Sequence, residues 1–173
     1  MKRGGVLEEC INQVVEMSDF HPQSVNTVRL SVIRLPNRVV IFEPFMRIGR
    51  GGSCVDNAGA GGLIAAIDSD TGKVIACGDE MGRTYEYHPD TGKKIIGFTV
   101  PMWKEACQLG RELAEIVPTT RYIGWDIALT KKGWDVVEGN EMAQFVAQLA
   151  TKKGIRTRLD AIVKEVLKYD KDS

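Results

Sequence analysis

Short connections constrain this chain more than any other feature. Pro36-Asn37, Ser69-Asp70-Thr71-Gly72, Pro89-Asp90-Thr91-Gly92 and Lys131-Lys132-Gly133 all carry turn chemistry, and each leads into a β-prone run. Such links cannot span a parallel crossover, which needs a dozen or more residues, so strands joined this way run antiparallel. The β-prone runs cover 25–33, 38–45, 63–68, 73–77, 94–100 and the two arms around Lys131-Lys132-Gly133. Residues 25–33 alternate, with one apolar face and Arg29 on the other. Helical periodicity is clearest over 101–117, where Pro101 starts and Pro118 stops a stripe of Ala106, Leu109, Leu113, Ile116 and Val117. One or two helical turns are expected over 11–17, a short helix over 141–150 and a last helix over about 157–169. The expected class is α+β: an antiparallel sheet with helices packed on one side, in a single domain over 1–173.

Lys plus Arg and Asp plus Glu are both 23, so the formal charge is zero. That balance gives no electrostatic footprint for nucleic acid or an acidic membrane. No apolar run approaches the roughly 20 residues needed to span a bilayer, and residues 1–5 lead into no signal-type segment. The cysteines at 10, 54, 77 and 107 form no C-x-x-C pair. Their apolar or small-residue surroundings suit buried thiols in a reducing, cytoplasmic setting, and the two histidines argue against zinc. Asp68-Ser69-Asp70 is similar to the start of a calcium loop, but the glycine falls one position early and no glutamate stands at the twelfth place.

The chemistry concentrates in 122–140. With Gly133 in the left-handed position of a three-residue hairpin loop, Thr130 would pair with Trp134. Asp126 then stands opposite Glu138 with Cβ atoms about 5 Å apart, and Asn140 points the same way one side-chain repeat on. Two like charges in register destabilise a sheet unless a cation or donor lies between them. Two carboxylates and a carboxamide suit Mg²⁺, which completes its shell with water and phosphate. A surface hairpin with solvated acids is the alternative reading.

The segment 49–62 carries six glycines. Its backbone N–H groups could form an anion-binding nest, with Arg47 and Arg50 as forked donors to phosphate or carboxylate. A long surface loop is the competing reading. Arg29, with no partner named by the sequence, reads as an ordinary exposed arginine on a sheet face. His21, His88, Trp103, Trp125 and Trp134 read as core or loop packing, and no nucleophile–histidine–acid pattern is present.

In order along the chain, Val6-Leu-Glu8-Glu-Cys10-Ile11, Ser24-Val-Asn-Thr-Val-Arg29, Val55-Asp-Asn57 followed by Gly61-Gly62, His88-Pro-Asp-Thr-Gly92, Ile123-Gly-Trp-Asp126-Ile-Ala and Val137-Glu138-Gly-Asn140 resemble one family. They are similar to the carboxyl-terminal half of ATP-grasp enzymes, closest to the sugar-transfer-associated group found with polysaccharide genes. The resemblance implies a ligase-type reaction in which ATP phosphorylates a small-molecule carboxylate and a nucleophile then displaces phosphate. It implies Mg²⁺ and ATP as cofactors, with Asp126, Glu138 and Asn140 as metal ligands. Arg29 would lie near the phosphates, and Arg47, Arg50 and Asn57 would line the γ-phosphate and acceptor side. Residues near 6–12 would form the hinge, with Cys10 and Ile11 meeting adenine through their backbone and Glu8 close to the nucleotide. ATP-grasp enzymes close a second, preceding lobe over the nucleotide, and this chain begins almost at the hinge. The expectation is therefore a partial domain. It is a fragment, one half of a site that a partner chain completes, or a non-catalytic remnant that binds a ligand or partner.

Overall fold

The computed structural model describes residues 11–172 apart from 57, 58 and 60. Seven strands form one antiparallel sheet: β1 (Val28–Arg34), β2 (Val39–Ile41), β3 (Phe45–Ile48), β4 (Leu63–Ile67), β5 (Val74–Gly78), β6 (Tyr122–Thr130) and β7 (Gly133–Asn140). The spatial order is β5-β4-β3-β1-β6-β7, and β2 pairs with β1 off this path. Helices α1 (Val15–Ser18), α2 (Trp103–Ile116), α3 (Ala147–Thr151) and α4 (Arg156–Asp172) complete the described elements. The α+β class with an antiparallel sheet is observed as expected.

The main core forms where α2 lies on the sheet. Trp103, Ala106, Cys107 and Ala114 pack with Val28, Leu30 and Val32 of β1 and with Leu63, Ala65 and Ile67 of β4. Each large aliphatic side chain buried there contributes roughly 1.5–3 kcal/mol. Gly110 permits the close approach, because a Cβ at that position would stand 3.0 Å from Ile41 Cδ1. The alternate residues Ile64 and Ala66, with Phe45, meet Ala147 and Ala150 of α3. Leu159 and Ile162 of α4 pack near Ile33, Phe42 and Ile155.

Several boundaries differ from the sequence reading for local reasons. The expected strand over 38–45 runs alongside β1 but breaks between β2 and β3. Glu43 has φ 50 and Pro44 supplies no N–H, so the ladder is interrupted there. Residues 94–100 make only isolated bridges, Tyr87 with Lys94 and Lys73 with Thr99, so this run is not a strand. The helix expected over 141–150 is confined to α3, and the last helix starts at Arg156.

The β6–β7 hairpin also turns differently. Thr130 pairs with Gly133 across a two-residue loop, not with Trp134. A register shift between Asp126 and Ile127 then leaves Val137 as an extra residue on β7. The bulge offsets the shorter loop, and Asp126 still stands opposite Glu138 and Gly124 opposite Asn140.

Candidate functional site

Three strands place their polar residues in one row. The ladder pairs Arg29 of β1 with Asp126 of β6, and Asp126 with Glu138 of β7. Residues paired across neighbouring strands share a face, so Arg29, Asp126 and Glu138 point together, with Asn140 two residues beyond Glu138. β1 is central and buried from Val28 to Ile33, so Arg29 is not an exposed sheet arginine. It is 9% exposed and Asp126 is 1% exposed.

The two residues form a forked ion pair. Arg29 donates from Nε to Asp126 Oδ1 and from Nη2 to Oδ2, the second bond at 2.8 Å. Burial alone would lower the Arg29 pKa, but the bonds and charge of Asp126, with Glu138 beyond it, outweigh burial and the net shift is upward. Arg47, reaching from β3, also donates to Asp126 Oδ2, and its Nη1 lies 4.0 Å from Glu138 Oε1. A guanidinium nitrogen thus occupies the space between the two acids. Asn140 donates from Nδ2 to Glu138 Oε1 at 3.1 Å, which leaves its carbonyl oxygen as an acceptor.

The glycines of the two motifs have a packing explanation. Trp125 pairs with Gly139, and a Cβ on Gly139 would come within 2.6 Å of the indole ring. Gly124 pairs with Asn140, and a Cβ there would meet Ala143 Cβ at 2.3 Å and Arg29 Cδ at 3.0 Å. Gly139 therefore makes room for a tryptophan on one face, and Gly124 makes room for the arginine stem on the other.

Sequence reasoning missed Asp56 and Thr27. Asp56 Oδ1 lies 3.1 Å from Arg47 Nη2. Its Oδ2 accepts from the Thr27 backbone N–H at 2.9 Å and hydroxyl at 2.5 Å. Burial raises the Asp56 carboxyl pKa, against the opposing pull of Arg47 and Thr27. Its neighbour Asn57 drew attention through the motif, while no local pattern points to a carboxylate bonded 29 positions upstream.

Other candidate residues fall elsewhere. Arg50 donates to Tyr85 Oη at 2.6 Å and to Asp79 Oδ2 at 3.2 Å, so it belongs to a separate, half-buried cluster. Asn57, Glu8 and Cys10 lie outside the described residues. Ile11 opens the segment in which Gln13 bridges to Thr130, four residues along β6 from Asp126 and so about 13 Å away at strand spacing.

A pocket of about 920 Å³ opens at this row, with Arg29, Arg47, Glu138 and Asn140 in its wall beside Phe45 and Val146. That is large enough for a nucleotide-sized ligand. Among the described residues, no three His, Cys, Asp or Glu side chains form a metal-binding group. The row instead offers two carboxylates and a carboxamide, and the Arg47 guanidinium stands between the acids. Hard oxygens around a position that already attracts positive charge fit a divalent ion, which would compete with Arg47 for Asp126.

No helix among the described residues is long and apolar enough to cross a membrane. Comparison with curated proteins gives no significant match, and comparison with solved structures gives none. A family model described as sugar-transfer associated ATP-grasp matches residues 3–164. That span includes every residue of the row and nearly the whole chain, so the chain belongs to the sugar-transfer associated ATP-grasp family.

Proposed function

We propose that this chain binds Mg-ATP on the Arg29–Asp126–Glu138 row and activates a small-molecule carboxylate, in the biosynthesis of a polysaccharide. The observation that carries this reading is the cationic gap between two cross-strand acids, opening onto a nucleotide-sized pocket. In the reaction, a carboxylate oxygen attacks the γ-phosphorus of ATP and the bond to the β-phosphate oxygen breaks. ADP leaves and an acyl phosphate forms. A nucleophile such as an amine then attacks the acyl carbon and expels inorganic phosphate.

Asp126, Glu138 and Asn140 would hold Mg²⁺, which when bound neutralises charge on the transferring phosphoryl group. Arg29 fixes Asp126 with two donors, so that carboxylate needs no reorganisation when charge develops. Asp56, Asp126 and Glu138 outnumber the guanidiniums of Arg29 and Arg47 by one, which favours an added cation. Arg47 and Asn57 would face the γ-phosphate side, Cys10 and Ile11 the base, and Glu8 would lie close to the nucleotide.

A second reading has one observation in its favour: Asp126 is 1% exposed and both its oxygens are already bound by arginine. On that reading the same face binds a ligand or partner without metal or catalysis. Incubation with ATP, Mg²⁺, a panel of sugar acids and hydroxylamine separates the two. Carboxylate-stimulated ADP release with hydroxamate formation supports activation. No ATP binding, or ATP binding that is indifferent to Mg²⁺ and without turnover, supports the second reading.

A further inference from the structure

Two turns, twenty residues apart in sequence, share one hydrogen-bond pattern. In 68–73, the Asp68 N–H donates to Lys73 O at 2.8 Å and the Gly72 N–H donates to Asp68 O at 2.9 Å. The Asp68 carboxylate accepts from Thr71 N–H at 2.9 Å and from the Thr71 hydroxyl at 2.6 Å. In 88–93, the His88 N–H donates to Lys93 O at 2.8 Å and the Gly92 N–H donates to His88 O at 2.9 Å. Here His88 Nδ1 takes the place of the carboxylate and accepts from the Asp90 and Thr91 N–H groups, each at 3.3 Å.

The exchange of Asp for His adds one capability. Because Nδ1 accepts, the ring proton sits on Nε2, which donates to Gly49 O at 2.8 Å. A carboxylate has no donor with which to make that bond. His88 is 1% exposed, so water does not compete for it. The 88–92 turn makes a second link, since Asp90 Oδ2 accepts from Gly51 N–H at 2.5 Å. Asn26 Oδ1 accepts from Gly49 N–H at 3.1 Å, and Asn26 is itself fixed by the carbonyls of Met17 and His21. The position admits only glycine, because a Cβ on Gly49 would lie 2.3 Å from Ser24 Oγ.

From this clamp the chain reaches Asp56, which Thr27 and Arg47 hold. The stretch 49–56 is therefore tied at both ends, and its Asp56 end meets Arg47, which also contacts Asp126. Arg47 stands two residues before Gly49, on the strand that the clamp terminates. We infer that His88 is a positioning residue: its imidazole joins the 88–92 turn to Gly49 and so fixes where Arg47 and Asp56 stand beside Asp126. The inference rests on the nucleotide reading for its functional consequence alone.

The test compares the full chain with His88→Asn. Asparagine has a side-chain oxygen to hold the turn as Asp68 does, but it is too short to reach Gly49 as well. Amide exchange over 49–56 should quicken at least about tenfold in the variant, with the 68–73 and 88–93 turns unchanged, and Mg-ATP should bind at least about fivefold more weakly. Equal protection of 49–56 in both proteins overturns the clamp. A loosened segment with unaltered Mg-ATP affinity overturns the positioning role. Wild-type chain that binds no Mg-ATP sinks the nucleotide reading, while the exchange comparison still decides the clamp. Nitrogen NMR of wild-type His88 needs no variant: the Nε2–H tautomer is expected, and an Nδ1–H tautomer contradicts the inference.

Discussion

Arg29 and Asp126 are direct cross-strand partners at the centre of the sheet, and the guanidinium grips both carboxylate oxygens. Removing one member of a buried pair strands the other charge, at a cost of about 3–5 kcal/mol. Arg29→Met should fall near the lower end, because Arg47 still contacts Asp126. Urea unfolding of the variant measures this, and a loss under about 1 kcal/mol would show that the pair is not a structural anchor.

The Trp125–Gly139 contact predicts a difference between two glycine substitutions. Gly139→Ala forces a Cβ to within 2.6 Å of the indole and should cost about 1–3 kcal/mol through overpacking, with a shift in tryptophan emission. Gly52→Ala meets nothing within 4 Å and should stay within about 0.5 kcal/mol of wild type. Equal effects at the two sites would contradict the packing explanation.

The imidazole of His88 gives stability a pH dependence of known sign. Burial pushes its pKa below the usual 6.5, assisted by His21 and Arg50 and opposed by the bond to Gly49 and by Asp90. Between the lowered folded value and 6.5, the unfolded chain binds more protons than the folded one. Unfolding free energy should therefore fall as pH drops below about 6.5, and level off once the folded imidazole is also protonated. Asp56, raised by burial, acts in the opposite sense in a window just above 3.8. Urea midpoints at pH 7.5 and 5.5 should differ, and His88→Asn should flatten most of that slope.

Thiol reactivity reads the core directly. Burial raises the Cys77 thiol to about 12, and Cys107 is also raised, while Cys54 is exposed. Brief alkylation of native protein should label Cys54 and spare Cys77 and Cys107 until denaturant is added. Early labelling of Cys77 would mean that the sheet between β4 and β5 opens more readily than its packing implies.

Tight turns made the antiparallel sheet legible in the sequence, because 69–72 and 131–132 leave no room for any other connection. The pairing of Asp126 with Glu138 was legible too, although the turn assigned to it was not the one formed. A shorter loop and a one-residue bulge offset each other, and alternation carries no record of such cancelling shifts. Arg29 could be placed on a face but not given a partner. Its carboxylate lies 97 positions away, and periodicity reports direction without naming the neighbour. Arg50 illustrates the same limit, since its position in the glycine-rich run suggested an anion but folding directs it to Asp79 and Tyr85. His88 was identifiable as a turn residue, while its bond to Gly49 depends on two distant segments meeting.

We propose that Glu138, Asn140 and Asp126 hold a divalent ion for ATP. Glu138 is the best residue for testing it, because its side chain is 55% exposed and can lose its charge without disturbing the Arg29–Asp126 pair. Titration calorimetry with ATP should show Mg²⁺-dependent binding to the wild-type chain, weakened at least tenfold by Glu138→Gln at unchanged thermal stability. Binding that is indifferent to Mg²⁺ and to this substitution would contradict the account.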